Sequence, residues 1–181
     1  MKRFIHIPKT AGTAIKHWIC KTGHSVLCGE GIIAPNNIIT KRLHKRGWLG
    51  ENSEKFTIVR NPYERCVSAY TYLIKEDDRV PASTTFEEFI KNFILDNSND
   101  TDTWRPQIWW LLTKKGQPAI TKIIRYENLE KELQEYFNFY EPLPIKNKTT
   151  YKDYNSYYTP QLKKLVKEYY LEDFKYLNYA M

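Results

Sequence analysis

Short apolar runs alternate along this chain with longer segments whose apolar side chains recur every three or four residues. The short runs, rich in apolar and β-branched residues, predict strands at residues 3–7, 25–28, 56–60 and 120–126. The helical period and helix start signals predict helices at residues 12–22, 37–46, 62–75, 85–95, 104–112, 127–139, 159–170 and 171–177. Strands that alternate with helices indicate an α/β fold with a central parallel sheet.

Proline, hydroxyl and polar residues set several of the expected element boundaries. Pro62 and Pro160 each open a predicted helix, because proline is tolerated in the first helical turn. Thr159 is the expected cap of the second of these helices, and Thr13 the expected cap of the first helix in the chain. The polar stretch at residues 29–37 is predicted to be a loop.

The composition indicates a folded protein of one domain. At 181 residues the chain is long enough to bury a core, and we expect a single domain over residues 1–181. Fourteen Tyr, eight Phe and five Trp exclude a disordered chain. The net charge of +7 indicates an anionic partner, but the basic residues are scattered, so we expect no nucleic acid partner. The sequence does not indicate an oligomeric state.

Cysteine usage and hydropathy suggest a reducing, aqueous compartment. The chain has three cysteines and no C-x-x-C pair, which suggests neither a disulfide framework nor a zinc site, and we expect no metal. No apolar leader precedes the first predicted strand, and no stretch approaches the length of a membrane span. We therefore expect a soluble protein of the cytoplasm or another intracellular compartment, without a membrane anchor.

Residues 8–13, here called loop 8–13, read Pro-Lys-Thr-Ala-Gly-Thr and join the first predicted strand to the first predicted helix. Backbone N–H groups at a helix N-terminus favour a phosphate or a similar oxyanion. Lys9 adds a positive charge, and Thr10 and Thr13 add hydroxyl donors. The order differs from the Walker pattern G-x-x-x-x-G-K-[ST], because Lys9 precedes Gly12. Taken alone, the loop also fits an ordinary strand-to-helix turn.

A second stretch, segment 60–68, follows the strand predicted at residues 56–60. Arg60 stands at the end of that strand, and Ser68 lies two turns along the next predicted helix. An arginine offers a bidentate fork for a phosphate, and a serine hydroxyl could hold another oxygen of the same group. The alternative is that Arg60 pairs with a carboxylate and that Ser68 lies on the helix surface.

Together the two stretches resemble the sulfotransferases that use 3′-phosphoadenosine 5′-phosphosulfate (PAPS). In that family, Pro-Lys-Thr-x-Gly-Thr grips the 5′-phosphosulfate, and Val-Arg-Asn-Pro-Tyr-x-Arg-x-x-Ser-x-Tyr holds the 3′-phosphate. Similar segments continue at residues 105–107, 124–129 and 173–174, so the resemblance spans nearly the whole chain. It is closest to the carbohydrate-modifying branch, in which His-x-Pro-Lys-Thr-x-Gly-Thr is usual.

The resemblance implies a three-layer α/β/α fold of the P-loop nucleotide-binding type. It also implies in-line transfer of a sulfuryl group from PAPS to an acceptor hydroxyl, with 3′-phosphoadenosine 5′-phosphate (PAP) as product and no metal. Lys9 would stabilise the charge that builds on the leaving phosphate. The binding residues implied for PAPS are Pro8, Lys9, Thr10, Ala11, Gly12, Thr13, Arg60 and Ser68.

The reaction needs a base to take the proton of the acceptor hydroxyl, and family members use a histidine or a glutamate. His24, at the start of the second predicted strand, is the expected catalytic base, with Glu30 and His44 as alternatives. A frequent family pattern has a histidine where this chain has Pro-Asn-Asn at residues 35–37. His6 matches a frequent family position and is expected to be structural.

The acceptor is expected to be a carbohydrate. Trp104, Trp109 and Trp110 could stack on sugar rings, although aromatic residues at helical spacing are more typical of a core. Two other functions stay open. A nucleotide kinase or related phosphate-loop enzyme would need a Walker motif and a magnesium-binding acid, and neither is evident. The other is a non-catalytic module that binds anions or glycans on the same fold.

Overall fold

A computed structural model describes residues 2–28, 31–34, 37–38, 53–76, 80–95, 103–113, 115–144 and 153–181. Within these residues, a six-stranded sheet forms in the order β4-β3-β2-β1-β5-β6. Its strands are β1 (Lys2–Ile5), β2 (Val26–Cys28), β3 (Gly31–Ala34), β4 (Asn37–Ile38), β5 (Glu54–Val59) and β6 (Lys122–Arg125). The α-helices are α1 (Gly12–Ile19), α2 (Pro62–Glu76), α3 (Phe86–Phe89), α4 (Ile108–Leu111), α5 (Leu129–Phe137), α6 (Pro160–Tyr169) and α7 (Leu171–Leu177). A π-helical turn at Ile90–Leu95 continues α3.

The four neighbouring strands β2, β1, β5 and β6 run parallel, whereas β3 and β4 run antiparallel. Phe4 of β1 pairs with Cys28 of β2 on one side and with Phe56 of β5 on the other. The C-terminal ends of the parallel strands therefore meet at one edge, which is where ligands bind in folds of this class. Loop 8–13 follows β1 at this edge. The predicted α/β fold with a parallel central sheet is confirmed.

The chain forms two compact units, and each is assembled from two stretches of sequence. The first unit comprises Met1–Val59 and Trp109–Asn147, and the second comprises Arg60–Ile108 and Lys148–Met181. The single domain expected from the length stays a prediction.

In the first unit, α1 and α5 share one apolar core with the strands of the sheet. Phe4, Trp18, Phe56 and Phe137 are all buried there. The ring of Phe4 stacks on that of Phe56 with centroids 5.1 Å apart, and Trp18 meets Phe137 edge to face at 5.7 Å. The indole N–H of Trp18 donates to the carbonyl of Glu141 at 2.7 Å, so its one polar atom is satisfied. This core supports the strand from which loop 8–13 emerges.

In the second unit, α2, α3, α6 and α7 enclose a separate core. Its largest buried members are Tyr63, Phe86, Phe89, Trp104, Tyr170 and Phe174. Trp104 meets Phe89 edge to face, with ring centroids 5.8 Å apart. Of the three tryptophans considered for sugar stacking, Trp104 therefore belongs to the core.

Two predictions for residues 29–46 are wrong where the structure describes them. Gly31–Ala34 is β3 rather than part of a loop, and Asn37–Ile38 is β4 rather than the start of a helix. Residues 39–46, which were predicted to continue that helix, lie outside the described residues. Both short strands exist through pairing with a neighbour in the sheet, which a local sequence pattern does not reveal.

The helix starts predicted at Pro62 and Pro160 are confirmed. The side chain of Asn61 accepts a hydrogen bond from the N–H of Tyr63 at 2.9 Å, and that of Thr159 accepts one from Leu162 at 3.2 Å. The helix predicted at residues 104–112 is shorter, because only Ile108–Leu111 is helical. Pro106 disfavours the helical conformation at the residue before it, which delays the start of α4.

Candidate active site

Loop 8–13 has an unusual backbone for a run with one glycine. Lys9 has φ of 67° and Ala11 has φ of 64°, so two alternate non-glycine residues are left-handed. Each such residue costs about 1–2 kcal/mol, and strain of this kind concentrates at functional sites. Left-handed residues within a tight turn aim backbone N–H groups into a concavity that suits an anion. The two left-handed residues therefore make loop 8–13 a candidate anion-binding loop.

The N-terminus of α1 directly follows the two left-handed residues. Ala11 occupies the cap position, and no side chain caps the first N–H groups of the helix. The predicted capping role of Thr13 is therefore wrong: Thr13 is the second residue of α1, where its side chain is exposed. Uncapped N–H groups and the positive end of the helix dipole both favour a bound anion.

Thr10 stabilises loop 8–13 from a buried position. It is fully buried, and its hydroxyl donates to the carbonyl of Ile7 at 2.7 Å. That hydroxyl was expected to donate to a ligand, but its only hydrogen is committed to the backbone. Thr10 can therefore offer only its backbone N–H to a ligand, while its side chain stabilises the turn. Lys9, by contrast, is partly exposed.

Gly12 is required by a close approach to His6. A Cβ built on Gly12 would lie 1.9 Å from Nε2 of His6, far inside van der Waals contact. The imidazole also lies against Phe4, with ring centroids 5.7 Å apart. His6 thus packs between the sheet and the first residue of α1, as the structural interpretation of this histidine expected.

Segment 60–68 differs from loop 8–13, because its candidate binding groups are side chains rather than backbone N–H groups. Arg60 is the residue after β5 and is 7 % exposed. Its Nε donates to Oε2 of Glu64 at 3.1 Å, which is an ion pair between residues four positions apart. The alternative that Arg60 pairs with a carboxylate therefore describes part of this site.

Ser68 follows Glu64 by four residues on α2, so the two residues share one face of the helix. Ser68 is 5 % exposed and is not a surface serine. The carboxylate of Glu64 consequently stands on the same helical face as Ser68 while it also binds Arg60. An anion bound by both Arg60 and Ser68 would have to accommodate this neighbouring negative charge.

The backbone of Arg60 is held by Gln107. Oε1 of Gln107 accepts from the N–H of Arg60, and Nε2 of Gln107 donates to the carbonyl of Arg60, both at 2.9 Å. Gln107 is fully buried. One side-chain amide therefore provides the pair of hydrogen bonds that a neighbouring strand would provide, one residue beyond the end of β5.

Asp173 of α7 holds Gln107 in turn. Its carboxylate accepts from the backbone N–H of Gln107 at 2.7 Å and from that of Ile108 at 2.8 Å. Burial raises the pKa of Asp173 above its ordinary value, although these two hydrogen bonds oppose the shift. The same carboxylate supplies the N-terminus of α4 with acceptors from a residue far away in the sequence.

Arg65 fixes the segment that carries Gln107. It is 1 % exposed, and its guanidinium donates to the carbonyls of Arg105 at 2.9 Å and Thr103 at 3.2 Å. The hydroxyl of Tyr170 donates to the carbonyl of Trp104. Residues 103–107 have no regular structure of their own, and buried donors from α2 and α6–α7 satisfy their carbonyls instead.

Sequence reasoning did not assign roles to Gln107, Asp173 or Arg65. All three lie in stretches that carry the family resemblance, and this was the available signal. Their roles depend on contacts between residues 38 to 66 positions apart, which no local pattern predicts.

The structure does not bring His24 to loop 8–13. His24 precedes β2, and because Val26 pairs with Lys2 in parallel register, it lies at the N-terminal edge of the strands. The loop follows the opposite edge, and β1 alone spans about 10 Å. The exposed His24 ring packs edge to face on Phe137, with centroids 5.6 Å apart. The assignment of His24 as catalytic base therefore has no support in this structure. The alternatives, Glu30 and His44, lie outside the described residues.

The described part of the chain shows neither a metal-binding cluster nor a membrane-spanning helix. No group of three or more His, Cys, Asp or Glu there is arranged to hold a metal ion. None of the helices described combines the length and the hydropathy that crossing a bilayer requires. Burial raises the pKa of the Cys66 thiol in α2 to about 11, so this thiol stays protonated at neutral pH.

The fold is α/β with a parallel central sheet, and loop 8–13 is a candidate anion-binding loop that follows β1. A model of the sulfotransferase family matches residues 3–180. The chain therefore belongs to the sulfotransferase family, and this membership supports sulfuryl transfer as its activity and a transferase as its enzyme class. No curated protein and no solved structure matches the chain.

Proposed function

We propose that this protein transfers the sulfuryl group of PAPS to an acceptor hydroxyl, most simply on a carbohydrate. The observation that carries the proposal is loop 8–13, with left-handed Lys9 and Ala11 before an uncapped helix N-terminus. A loop of this conformation before a helix N-terminus suits the 5′-phosphosulfate, which is an anion with many acceptor oxygens. Family membership supports PAPS as the donor.

The proposed chemistry is an in-line displacement at sulfur. The acceptor oxygen forms a bond to sulfur while the bond from sulfur to the 5′-phosphate oxygen breaks, and the electron pair leaves with PAP. Lys9 and the backbone N–H groups of loop 8–13 stabilise the negative charge that develops on the leaving phosphate. The proton of the acceptor hydroxyl passes to a base that the described residues do not identify.

Segment 60–68 is proposed to bind the 3′-phosphate and so to select PAPS over ATP. Arg60 is a buried guanidinium, and Ser68 is a buried hydroxyl on the helix that follows. An arginine in a site of low exposure binds a phosphate more strongly than an exposed one, because water competes less. PAP is then expected to bind much more tightly than adenosine 5′-monophosphate (AMP), which lacks the 3′-phosphate.

A carbohydrate acceptor rests on the resemblance to the carbohydrate-modifying branch. Trp109 and Trp110 form an edge-to-face pair with centroids 5.3 Å apart, and both are partly exposed. Partly exposed aromatic rings are suited to stacking on sugars, which makes this pair the proposed contact for the acceptor.

A transfer assay tests the proposed reaction. PAPS labelled in the sulfuryl group is incubated with a panel of glycans, lipids and small alcohols, without added metal. We expect labelled product with a glycan and release of PAP. In parallel, calorimetric titration should show tight binding of PAP without magnesium. Preference for Mg-ATP over PAP would instead support a nucleotide kinase and would contradict the proposal.

A non-catalytic anion-binding module is the second candidate. One observation favours it: the carboxylate of Glu64 is paired with Arg60, where it would compete with a phosphate. This candidate predicts binding of PAP or sulfated glycans without label transfer to any acceptor in the panel. Transfer that disappears in Lys9→Ala would exclude it.

A further inference from the structure

Arg60 lies one residue beyond the last pair of the β5–β6 ladder, which ends with Val59 opposite Arg125. A strand end of this kind normally frays, because its N–H and C=O groups lose their partners. Here the Gln107 amide pairs both groups of Arg60 at 2.9 Å in a fully buried position. The peptide groups flanking Arg60 are therefore held although the regular ladder has stopped.

Gln107 is itself held by hydrogen bonds to the carboxylate of Asp173. Oδ2 of Asp173 accepts from the Gln107 backbone N–H at 2.7 Å and is 3.4 Å from its Nε2, so the carboxylate contacts both the backbone and the amide. Asp173 and Gln107 are both 0 % exposed, so water cannot replace either contact. A buried carboxylate is costly unless it is hydrogen-bonded, and in this place it makes its bonds to the residue that holds Arg60.

We propose that Gln107 and Asp173 are positioning residues for the 3′-phosphate site, which act by holding the backbone of Arg60 through the Asp173–Gln107–Arg60 hydrogen bonds. The inference rests on the proposed function, in which Arg60 binds the 3′-phosphate. Gln107 and Asp173 do not touch the ligand in this proposal. They determine where the Cα–Cβ bond of Arg60 points, and small displacements of a phosphate-binding group have large effects on binding.

The test is the selectivity for the 3′-phosphate, defined as the Kd of AMP divided by the Kd of PAP. Both ligands are titrated calorimetrically into the wild type, Arg60→Ala, Gln107→Met and Asp173→Asn. Methionine keeps the length and approximate shape of glutamine without its hydrogen bonds. Gln134→Met is the matched control, because Gln134 also donates to a backbone carbonyl, that of Glu141 at 3.1 Å, but lies in the other compact unit.

We expect Arg60→Ala to abolish the selectivity and Gln107→Met to reduce it about tenfold, because two hydrogen bonds to the Arg60 backbone are lost. Asp173→Asn should reduce it less, since asparagine keeps one acceptor oxygen. The Kd of AMP should stay within about twofold in both positioning variants, and Gln134→Met should resemble the wild type. A merely structural role would lower the temperature of unfolding without changing the selectivity.

The outcomes separate the two proposals. If the wild type shows no selectivity, or if Arg60→Ala retains it, the 3′-phosphate assignment in the proposed function is wrong. If Arg60→Ala loses selectivity but Gln107→Met and Asp173→Asn retain it, only the positioning inference is wrong. If Gln107→Met does not fold, the ratio of the AMP and PAP Kd values measured for Asp173→Asn tests the positioning inference instead. Failure of both variants to fold would overturn the inference, because their role would then be global stability.

Discussion

Loop 8–13 and segment 60–68 are the two anion-binding candidates of this chain, and they are built in opposite ways. The loop relies on its backbone: two left-handed residues, an uncapped helix and a buried threonine that braces the turn. Segment 60–68 relies on side chains: Arg60 pairs with Glu64 and is held by Gln107. The residues that shape the loop therefore lie within a few positions of it, whereas Arg60 also depends on Gln107, which is 47 positions away.

This difference predicts different responses to mutation. In the loop, one charged side chain and one glycine should dominate, because backbone N–H groups cannot be removed by most substitutions. In segment 60–68, the effects should be graded and should extend to residues that never touch the ligand.

Lys9→Ala should have the largest effect, on the rate rather than on binding. We expect kcat for sulfuryl transfer to fall about 100- to 1000-fold, because a preorganised cation that stabilises the leaving charge contributes on that scale. The measurement is the initial rate with the best acceptor of the panel. The control is Lys21→Ala, which removes the same charge from an exposed position. It should leave the rate within about twofold of the wild type. An unchanged rate in Lys9→Ala would remove Lys9 from the mechanism.

Gly12→Ala should disrupt the backbone conformation of loop 8–13. The new Cβ would meet His6 at 1.9 Å, so the ring or the start of α1 must move, and we expect PAP affinity to fall about 100-fold. Calorimetric titration measures the loss. Gly116→Ala is the control, because nothing lies within 4 Å of its Cβ position and only the strain of its φ of 74° remains.

The double variant His6→Ala with Gly12→Ala tests the cause of this effect. Removal of the imidazole opens the space for the new methyl group, so PAP affinity should recover in part relative to Gly12→Ala alone. A double variant as weak as the single one would show that the contact with His6 is not responsible.

Arg60→Lys should affect only the 3′-phosphate. Lysine keeps the charge but loses the planar fork and the Nε contact with Glu64, so we expect PAP to bind about tenfold more weakly and AMP to bind as before. Titration of both ligands measures the difference. Equal weakening of both ligands would mean that Arg60 supports the fold rather than the phosphate.

Glu64→Gln should have the smallest effect, and in the opposite direction. The carboxylate lies beside Arg60, where it would repel a bound phosphate, and its side chain is 26 % exposed, so solvent screens much of this repulsion. Glutamine keeps the shape and an acceptor for Arg60 Nε. We expect PAP affinity to rise about threefold and the AMP affinity to stay constant. A fall in PAP affinity would show that the charge of Glu64 is needed to orient Arg60.

The comparison also explains which parts of the site could be predicted. Loop 8–13 is contiguous, and its glycine, lysine and position after an apolar strand are visible in the sequence. The left-handed conformations of Lys9 and Ala11 are not, since neither residue type favours them. His24 was placed near the loop because sequence order does not tell which end of a strand faces the ligand, whereas the parallel register does.

What the sequence determined by itself is local. The apolar strands, the starts of α2 and α6, the candidate anion-binding loop and the family can all be inferred from residues close together in the chain. The tertiary structure alone decided that Gly31–Ala34 and Asn37–Ile38 pair as strands, that Trp104 is buried, and that Asp173 and Gln107 hold the backbone of Arg60. The physical reason is that these features satisfy hydrogen bonds or bury surface against partners remote in sequence, and local propensity contains no information about those partners.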